Sequence, residues 1–343
     1  MKQELVSQER LIDEKSFSNR FVEWITQWEV ILVFIAIALF FFFNAKSRYF
    51  LDWFNLMNAT FQFSEKAIMA LPMIFIIMCG DIDISIASII ALCAYAIGQA
   101  AAGGASIPTL ILISLAVGTL AGFFNGLMIT ALDMPAIAVT LATQSIYRGI
   151  SIGMLGDQAR TTFPKNFGVL GQNYIPGTVI PIEFVIYLAL MLVFAFILHK
   201  TTYGRRLYAI GNSAEAARFS GINVKLMKII NFTLTGFFCG LTAVMLASRI
   251  LSVRSNIALG WDLEIITLVV LGGVSITGGR GSVFGVFIGS LVVGYLKFGM
   301  GLLKLSGTLM TIVIGSLLLT AVLLPRLLDL YKANRKLKIQ AQR

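Results

Sequence analysis

Residues 107–131 read IPTLILISLAVGTLAGFFNGLMITA, and this stretch decides the fold. It contains no charged side chain, and it is longer than the roughly 20 mostly apolar residues that a helix needs to cross a bilayer. Within it, Gly118, Gly122 and Gly126 recur at every fourth position, a spacing that lets helix backbones approach closely in lipid. The stretch therefore predicts a transmembrane α-helix that packs closely against a neighbour.

Similar apolar runs recur along the chain and predict an all-α, polytopic membrane helical bundle of about ten transmembrane helices. The predicted spans are 28–44, 60–79, 84–101, 107–131, 135–156, 179–199, 226–249, 264–279, 283–303 and 307–328. Two junctions, at 80–83 and 278–282, could be short loops or breaks inside the membrane. Gly281, Gly285 and Gly289 predict a second ladder of small residues for helix packing.

The composition excludes a soluble globular protein. Hydrophobic residues make up 57% of the 343 positions and charged residues make up 13%, whereas soluble domains have about 25% charged residues. The formal net charge of +10 would suggest nucleic-acid binding in a soluble chain. Here the basic residues flank the apolar runs, as in the cytoplasmic loops of membrane proteins. We therefore expect contact with membrane lipid and no contact with nucleic acid.

The distribution of charge predicts the orientation of the chain. The segment 200–225 is rich in Lys and Arg and has Glu215 as its acid, and the tail 329–343 is similarly basic. Both should therefore be cytoplasmic. An even number of spans then places the N-terminal segment 1–27 in the cytoplasm as well. Between them we expect one transmembrane domain, 28–328, which contains the cytoplasmic loop 200–225.

The sequence offers little basis for catalysis or metal binding. Cys79, Cys93 and Cys239 lie in apolar runs without metal-ligand spacing, and His199 is the single histidine. The phosphate-binding motif G-x-x-x-x-G-K-[ST] does not occur. We expect a protein that is not an enzyme, with no catalytic residue, metal or cofactor of its own. If ATP and Mg²⁺ drive it, they bind a partner ATPase.

The basic loop contains a candidate docking helix. Asn212 can cap a helix, and Glu215 three positions later completes a capping-box pattern. The helix would run from Ala214 to Ser220, with Gly221 as its C-terminal stop. Two interpretations remain open. The helix either contacts a partner through its Ala and Arg face, or it belongs to a basic loop that folds without a partner.

Charged side chains inside the apolar runs are costly unless they are hydrogen-bonded or hydrated. Asp83 and Ser85 are expected to cap the third helix through its N–H groups, to lie on a substrate path, or to do both. Arg148 either pairs with an acid inside the bundle, for which Asp83 is the candidate, or extends to the membrane boundary.

Further polar residues in the runs have weaker signals. Asn125, Thr140 and Thr143 are uncharged groups that either form hydrogen bonds across helices or line a path. Glu65 and Lys66 precede the apolar part of the second span, and we expect them at the membrane interface.

Several motifs carry a resemblance to a known family. They are Gly80-Asp81-Ile82-Asp83-Ile84-Ser85-Ile86-Ala87-Ser88, Asn125-Gly126, the stretch 135–143 with Tyr147-Arg148-Gly149, the stretch 270–279, and the loop 201–224. In their order and spacing, the chain resembles the membrane permeases of ABC sugar importers that handle ribose, other simple sugars, rhamnose and the autoinducer-2 signal. Asp81, Ala87 and Ala142 stand where the family has, or often has, glycine. Residues 156–159 and 216–222 most resemble rhamnose-type permeases.

The resemblance implies a permease subunit of an ATP-driven, binding-protein-dependent importer in the bacterial inner (plasma) membrane. The implied partners are a cytoplasmic ABC ATPase subunit, a periplasmic or extracellular sugar-binding protein, and a second permease in a homodimer or heterodimer. The ATPase would dock on Gly204, Arg205, Asn212, Glu215, Ala217, Arg218 and Gly221. The substrate pathway would include Asp83, Ser85, Asn125, Thr140, Thr143 and Arg148. Hinge or packing positions would be Gly272, Gly273, Gly278 and Gly279.

The alternative from another class is an ion-coupled secondary sugar transporter. Such a protein needs buried carboxylates or a cation site, for which Asp81 and Asp83 are the candidates. In a secondary transporter, the basic loop would have no partner to bind and no evident function. A channel is a weaker alternative, because no selectivity-filter element is evident in the sequence.

Overall fold

The structure is a computed structural model that describes residues 28–323. The predicted segments 1–27 and 329–343, and residues 324–328, lie outside the described residues. The described chain folds as α-helices joined by turns, which confirms the predicted all-α membrane helical bundle. The helices are α1 (Trp28–Lys46), α2 (Trp53–Ala59), α3 (Ser64–Met78), α4 (Ile86–Ala102), α5 (Ile107–Ala131), α6 (Ala136–Leu155), α7 (Val169–Gln172), α8 (Ile182–Lys200), α9 (Thr202–Asn212), α10 (Ala214–Phe219), α11 (Val224–Ile250), α12 (Trp261–Leu271), α13 (Val283–Leu302) and α14 (Gly307–Leu323).

Length and hydropathy decide which of these helices can cross a bilayer alone. In the described part of the chain, α5, α8, α11 and α13 meet both criteria. The segment Trp53–Gln62, which contains α2, and helix α3 meet the length and hydropathy criteria when they are taken together. The chain bends by 53° between this segment and α3. The predicted number of spans, and the side of the membrane on which the termini lie, stay predictions.

Helix α3 forms the centre of the bundle. Every residue from Ser64 to Met78 is buried, as expected for a helix that is hydrophobic on all sides. It packs against α8, α11 and α12. Both ends of α3, near Glu65 and near Met78, are therefore enclosed by other parts of the chain.

Helices α5 and α11 pack with their backbones in contact, as the first glycine ladder predicts. A Cβ atom on Gly122 would overlap the carbonyl oxygen of Phe232, and one on Gly118 would overlap that of Gly236. Ser114 Oγ donates a hydrogen bond of 2.7 Å to the carbonyl oxygen of Gly240. Close packing of small residues can thus hold these helices together without a hydrophobic driving force from water.

The prediction for the second ladder and the eighth span is wrong in part. Helix α12 ends at Leu271, so the predicted span 264–279 is only partly helical. Gly273, Gly278 and Gly279 have φ values of +86°, +84° and +72°, a left-handed conformation that interrupts a right-handed helix. Gly281 precedes α13 and does not belong to a ladder on that helix.

The bundle has two ends. The end that carries the basic loop is called the loop end, and the opposite end is called the far end. The loop end carries the segment 201–223, and Tyr208 in this segment contacts Gly281 just before α13. Helix α13 then runs for 20 residues to Leu302, a rise of about 30 Å that matches the thickness of the hydrocarbon core. The opposite boundary, near Leu302 and the start of α3, is the far end.

Candidate coupling site at the loop end

The basic loop folds into the two helices α9 and α10. Thr201 caps α9 by accepting a hydrogen bond from the backbone N–H of Gly204. Gly204 lies against the end of α8, where a Cβ atom would overlap the carbonyl oxygen of Leu198. Leu207 and Ile210 are buried while Arg205 is exposed, so α9 rests on the bundle through one face and presents its charge on the other.

The short predicted helix is present as α10, but its predicted cap is wrong. Ser213, and not Asn212, caps α10 by accepting a hydrogen bond from Ala216 N. Asn212 instead ends α9, and its side-chain amide donates to the carbonyl oxygen of Tyr208. The reason is that the preceding residues form a helix of their own, which moves the chain break to Ser213. Gly221 follows α10 with φ of +82°, as a C-terminal stop requires.

Most of α10 faces away from the bundle. Ala217 is buried, whereas Glu215 and Arg218 are exposed and Phe219 has 77% of its surface exposed. The Arg218 guanidinium lies 5.9 Å from the centroid of the Phe219 ring. The helix is thus attached through its small residue and presents a charged and aromatic surface.

Two helix breaks meet beneath this loop. The first break, 79–85, separates α3 from α4, and the second, 272–282, separates α12 from α13. The backbone N–H of Gly279 donates a hydrogen bond of 3.0 Å to the carbonyl oxygen of Met78. The two breaks are therefore joined through main-chain atoms.

Gly211 lies between the two breaks. A Cβ atom at this position would overlap both the carbonyl oxygen of Met78 and the backbone nitrogen of Gly279. A Cβ atom on Gly278 would in turn lie 3.0 Å from Gly211 O. Only glycine fits here without displacing backbone, so the last turn of α9 is seated directly on the junction.

Hydrogen bonds fasten the loop around this contact. Tyr208 Oη donates to the carbonyl oxygen of Gly281 over 2.7 Å, on the second break. Burial raises the pKa of Tyr208, which keeps the phenol in the protonated form that can donate. Tyr203 Oη donates to Asn231 Oδ1 over 2.6 Å, and the Asn231 amide reaches Phe75 O and so connects the loop to α3.

An ion pair joins the first break to α11. Lys228 Nζ lies 2.9 Å from both carboxylate oxygens of Asp81. The two side chains are 23% and 11% exposed, so the pair is partly desolvated and more sensitive to loss of a partner than a surface pair. It holds the first break close to the beginning of α11.

The predicted pathway residues near the first break form a buried hydrogen-bonded network. Asp83 Oδ1 accepts from the Ser85 backbone N–H over 2.8 Å and from Ser85 Oγ over 2.6 Å. Asn125 donates to Ser85 Oγ over 2.8 Å, and Tyr147 Oη donates to Asn125 Oδ1 over 3.3 Å. The expected cap by Ser85 is wrong: its side chain caps no N–H of α4, because the hydroxyl is engaged by Asp83 and Asn125.

Thr140 and Thr143 are also buried. Thr140 Oγ1 lies 3.4 Å from the carbonyl oxygen of Ile82 in the first break, and Thr143 Oγ1 donates to Thr140 O. Thr140 therefore contacts another segment, whereas the hydrogen bond of Thr143 stays within α6. A role on the substrate path stays a prediction.

Arg148 is partly buried, and the predicted pair with Asp83 is wrong. Its guanidinium donates to the carbonyl oxygens of Ser255 and Ile257 over 3.0 and 2.9 Å. It also donates to Ala87 O over 3.0 Å. Backbone carbonyls thus satisfy the charge, and Arg148 connects α6 to the start of α4 and to the turn before α12.

Charged residues at the far end form buried pairs. Glu65 is fully buried and accepts two hydrogen bonds from Arg249, over 2.7 and 3.0 Å. Glu264 lies 2.6 Å from the ammonium groups of both Lys66 and Lys297. Both Glu65 and Lys66 are thus enclosed by neighbouring helices, and their expected position at the membrane interface stays a prediction.

The sequence analysis missed the groups that connect the loop to the breaks. Gly211, Tyr208, Lys228 and Asn231 were not among its candidates. The available signals were the Gly211-Asn212 pair and the opposite charges of Lys228 and Asp81, both at ends of apolar runs. Among residues 28–323, no group of three or more His, Cys, Asp or Glu side chains is placed to hold a metal ion.

Gly272 and Gly273 mark the start of the second break. A Cβ atom on Gly272 would overlap Val286 in α13, and one on Gly273 would lie 2.8 Å from Trp28 Cδ1 in α1. Both glycines therefore permit close packing at this point. Whether they also act as hinges stays a prediction.

Comparison with known proteins identifies relatives of this chain. The family model described as branched-chain amino acid transport system, permease component, matches residues 55–322. The ribose import permease RbsC of Bacillus subtilis is 34% identical over 284 residues, which cover 81% of this chain and 86% of that protein. RbsC of Haemophilus influenzae is 34% identical over 294 residues, 82% of this chain and 87% of the relative.

A third relative is the autoinducer-2 import system permease LsrD of Escherichia coli K12. It is 33% identical over 301 residues, which cover 86% of this chain and 91% of LsrD. No solved structure matches the chain. The match to the family model, residues 55–322, includes both helix breaks and the basic loop.

Proposed function

The chain belongs to the family of branched-chain amino acid transport system permease components, and from this membership we propose that it is the membrane subunit of an ATP-driven sugar importer. The membership and the relatives named for ribose and autoinducer-2 import bear out the resemblance to ABC sugar permeases. The similarity to rhamnose-type permeases stays a prediction. We propose a small hydroxylated substrate of this class, such as ribose, rhamnose, another simple sugar or autoinducer-2.

The observation that carries the proposal is the contact of Gly211 with the backbone of Met78 and Gly279, where the two helix breaks meet. This contact is called the seat of Gly211. Helix α10 presents Glu215, Arg218 and Phe219 to the surroundings, and α9 connects it to that seat. A force applied to α10 therefore reaches both breaks through backbone contacts. In our proposal, a partner ATPase binds ATP and Mg²⁺, docks on α10 and biases the bundle between two states.

The remaining parts of the proposal follow from the orientation. The loop end faces the cytoplasm, and the chain is a multi-pass protein of the bacterial inner membrane. At the far end, an external sugar-binding protein delivers the substrate and sets its identity. A second permease, either another copy or a related chain, completes the path. Because the binding protein supplies affinity, the permease itself needs few strong substrate contacts.

Reconstitution tests this function. The chain is placed in liposomes with its ATPase and binding protein, and uptake of radiolabelled ribose, rhamnose and autoinducer-2 is measured with and without ATP. We expect uptake of a substrate from this class only with all components and ATP. Uptake by the chain alone, driven by an ion gradient, would instead establish a secondary transporter.

A variant of α10 tests the coupling role separately. Replacing Glu215 and Arg218 by alanine removes the charged surface without touching the buried Ala217. We expect ATP hydrolysis to continue while substrate uptake is lost. The matched control is Asp133→Ala with Lys225→Ala, an exposed pair outside the loop helices with 3.1 Å between its charged atoms. Wild-type uptake by the α10 variant would remove the case for coupling through this helix.

A further inference from the structure

A cavity of about 490 Å³ lies at the far end, between the start of α3, the end of α13 and α14. Its polar wall contains two lysines, an amide and a hydroxyl, and its apolar wall contains an aromatic ring and a thioether. The residues are Gln62, Lys66, Lys297, Thr311, Phe298 and Met310. The cavity is remote from the loop end and takes no part in the proposed coupling.

The charges around this cavity are unequal. Lys66 and Lys297 share the single carboxylate of Glu264, at 2.6 Å from each ammonium group, which leaves one net positive charge. Each ammonium group has three N–H donors, so each retains donors after its bond to Glu264. Lys66 also lies 4.8 Å from the centroid of the Trp261 ring, which holds it in place beside the cavity.

The cavity lies at a membrane boundary. It is next to Leu302, the last residue of the 20-residue helix α13, whose other end is at the loop end. Tyr49 and Trp53, which are 55% and 61% exposed, precede α3 at the same end, where an aromatic belt is expected. On α14, Leu309 and Ile312 are exposed and continue the apolar wall toward lipid.

We propose that this cavity binds an anionic phospholipid, with the phosphate contacting Lys66 and Lys297 and the acyl chains lying along α14. The net positive charge attracts an anion, and the retained N–H donors can bond to phosphate oxygens. Hydrogen bonds between an ammonium group and phosphate oxygens are charge-assisted and therefore strong. The apolar wall formed by Phe298 and Met310 fits acyl chains, and a free phosphate ion would leave it without a partner.

Native mass spectrometry of the delipidated full-length chain tests this site. The probes are dioleoylphosphatidylglycerol, dioleoylphosphatidylcholine and inorganic phosphate. We expect phosphatidylglycerol to bind at least tenfold more tightly than phosphatidylcholine, and millimolar phosphate not to displace it. The triple variant Lys66→Gln, Glu264→Gln, Lys297→Gln removes the net charge without leaving an unpaired carboxylate, and it should lose the preference.

A second variant blocks the cavity and keeps its charges. A Cβ atom on Gly301 has only the Met310 methyl group nearby, at 4.0 Å, so Gly301→Leu should fold and fill the space. It should weaken phosphatidylglycerol binding at least tenfold. The control is Lys165→Gln with Lys225→Gln, two exposed lysines away from the cavity, which should bind normally.

The proposal is overturned by any of four results. Phosphatidylcholine could bind equally well, Gly301→Leu could bind phosphatidylglycerol like the wild type, or a folded triple variant could retain the preference. If the triple variant does not fold, Gly301→Leu decides alone. Displacement of the lipid by inorganic phosphate would assign the site to a free ion and would also overturn it.

Discussion

The two ends of α3 are held in opposite ways. At the loop end, Met78 contacts Gly211 and Gly279 through backbone atoms. At the far end, Glu65 forms a buried, two-bonded ion pair with Arg249. Breaking a buried ion pair leaves an uncompensated charge, whereas glycine contacts depend on shape and can separate without exposing charge. From this difference we predict that the far end is fixed and that the loop end moves.

The largest expected effect concerns the fixed end. Glu65→Gln leaves the Arg249 guanidinium, now facing an amide, without its charge partner. Removing one member of a buried pair costs about 3–5 kcal/mol, so we expect a large fall in the thermal midpoint of the detergent-solubilised chain. Differential scanning fluorimetry measures this.

The control for Glu65 is an exposed pair. Asp133→Asn removes one partner of Lys225, where the side chains are 77% and 60% exposed. Surface pairs contribute about 0–1 kcal/mol, so the midpoint should hardly change. Equal effects of Glu65→Gln and Asp133→Asn would show that the far end is not held by its buried charge.

The second prediction concerns the moving end. Gly211→Ala places a methyl group against the backbone of Met78 and Gly279. Overpacking of this kind costs about 1–3 kcal/mol, and here the cost falls on the junction between loop and breaks. We expect at least about a tenfold loss of ATP-dependent uptake, which is the rate equivalent of about 1.4 kcal/mol.

The matched control for this change is Gly315→Ala, since a Cβ atom on Gly315 meets nothing within 4 Å. Uptake should remain at the wild-type level. Wild-type uptake by Gly211→Ala would show that the close approach at the junction has no role in transport.

The same comparison explains what the sequence could predict. Helix positions follow from apolar length, which is local, and α5 coincides with the predicted span 107–131. The Glu65–Arg249 pair joins residues 184 positions apart, so no local pattern places them together. The cap at Asn212 failed for a different reason, because Ser213 is an equally good cap and the preceding helix decides between them.

For the site residues as well, chemical character could be predicted from the sequence, whereas contacts between distant residues could not. The polar character of Asp83, Ser85 and Asn125 was visible in the sequence, and their mutual hydrogen bonds were not. Arg148 was expected to pair with an acid or to extend to the membrane boundary, but its guanidinium donates to the carbonyl oxygens of Ala87 and Ser255. These acceptors come together only in the folded chain, so sequence alone does not show them.

An intermediate effect is expected at Lys228, where a charge pair lies at the moving end. Lys228→Met leaves Asp81 with no ammonium partner, but the pair is partly exposed. We therefore expect a loss of about 1–2 kcal/mol in stability, smaller than for Glu65. Adding Asp81→Asn should restore part of the stability, because it removes the unpaired charge. A double variant that is less stable than Lys228→Met would contradict this explanation.

The smallest effect, of opposite sign, is expected at Glu183 in the first turn of α8. Its side chain is fully buried, and neither carboxyl oxygen has a hydrogen-bond partner within the described chain. Methionine in Glu183→Met has a similar length and no oxygen or charge. We expect the stability of the detergent-solubilised chain to rise by up to about 1 kcal/mol, since a buried polar group without a hydrogen-bond partner is replaced by an apolar one. The variant also sharpens the contrast with Glu65, because loss of the carboxylate should destabilise the chain at Glu65 and stabilise it at Glu183. A fall in thermal midpoint for Glu183→Met as large as that for Glu65→Gln would mean that both carboxylates, and not Glu65 alone, balance the Arg249 charge.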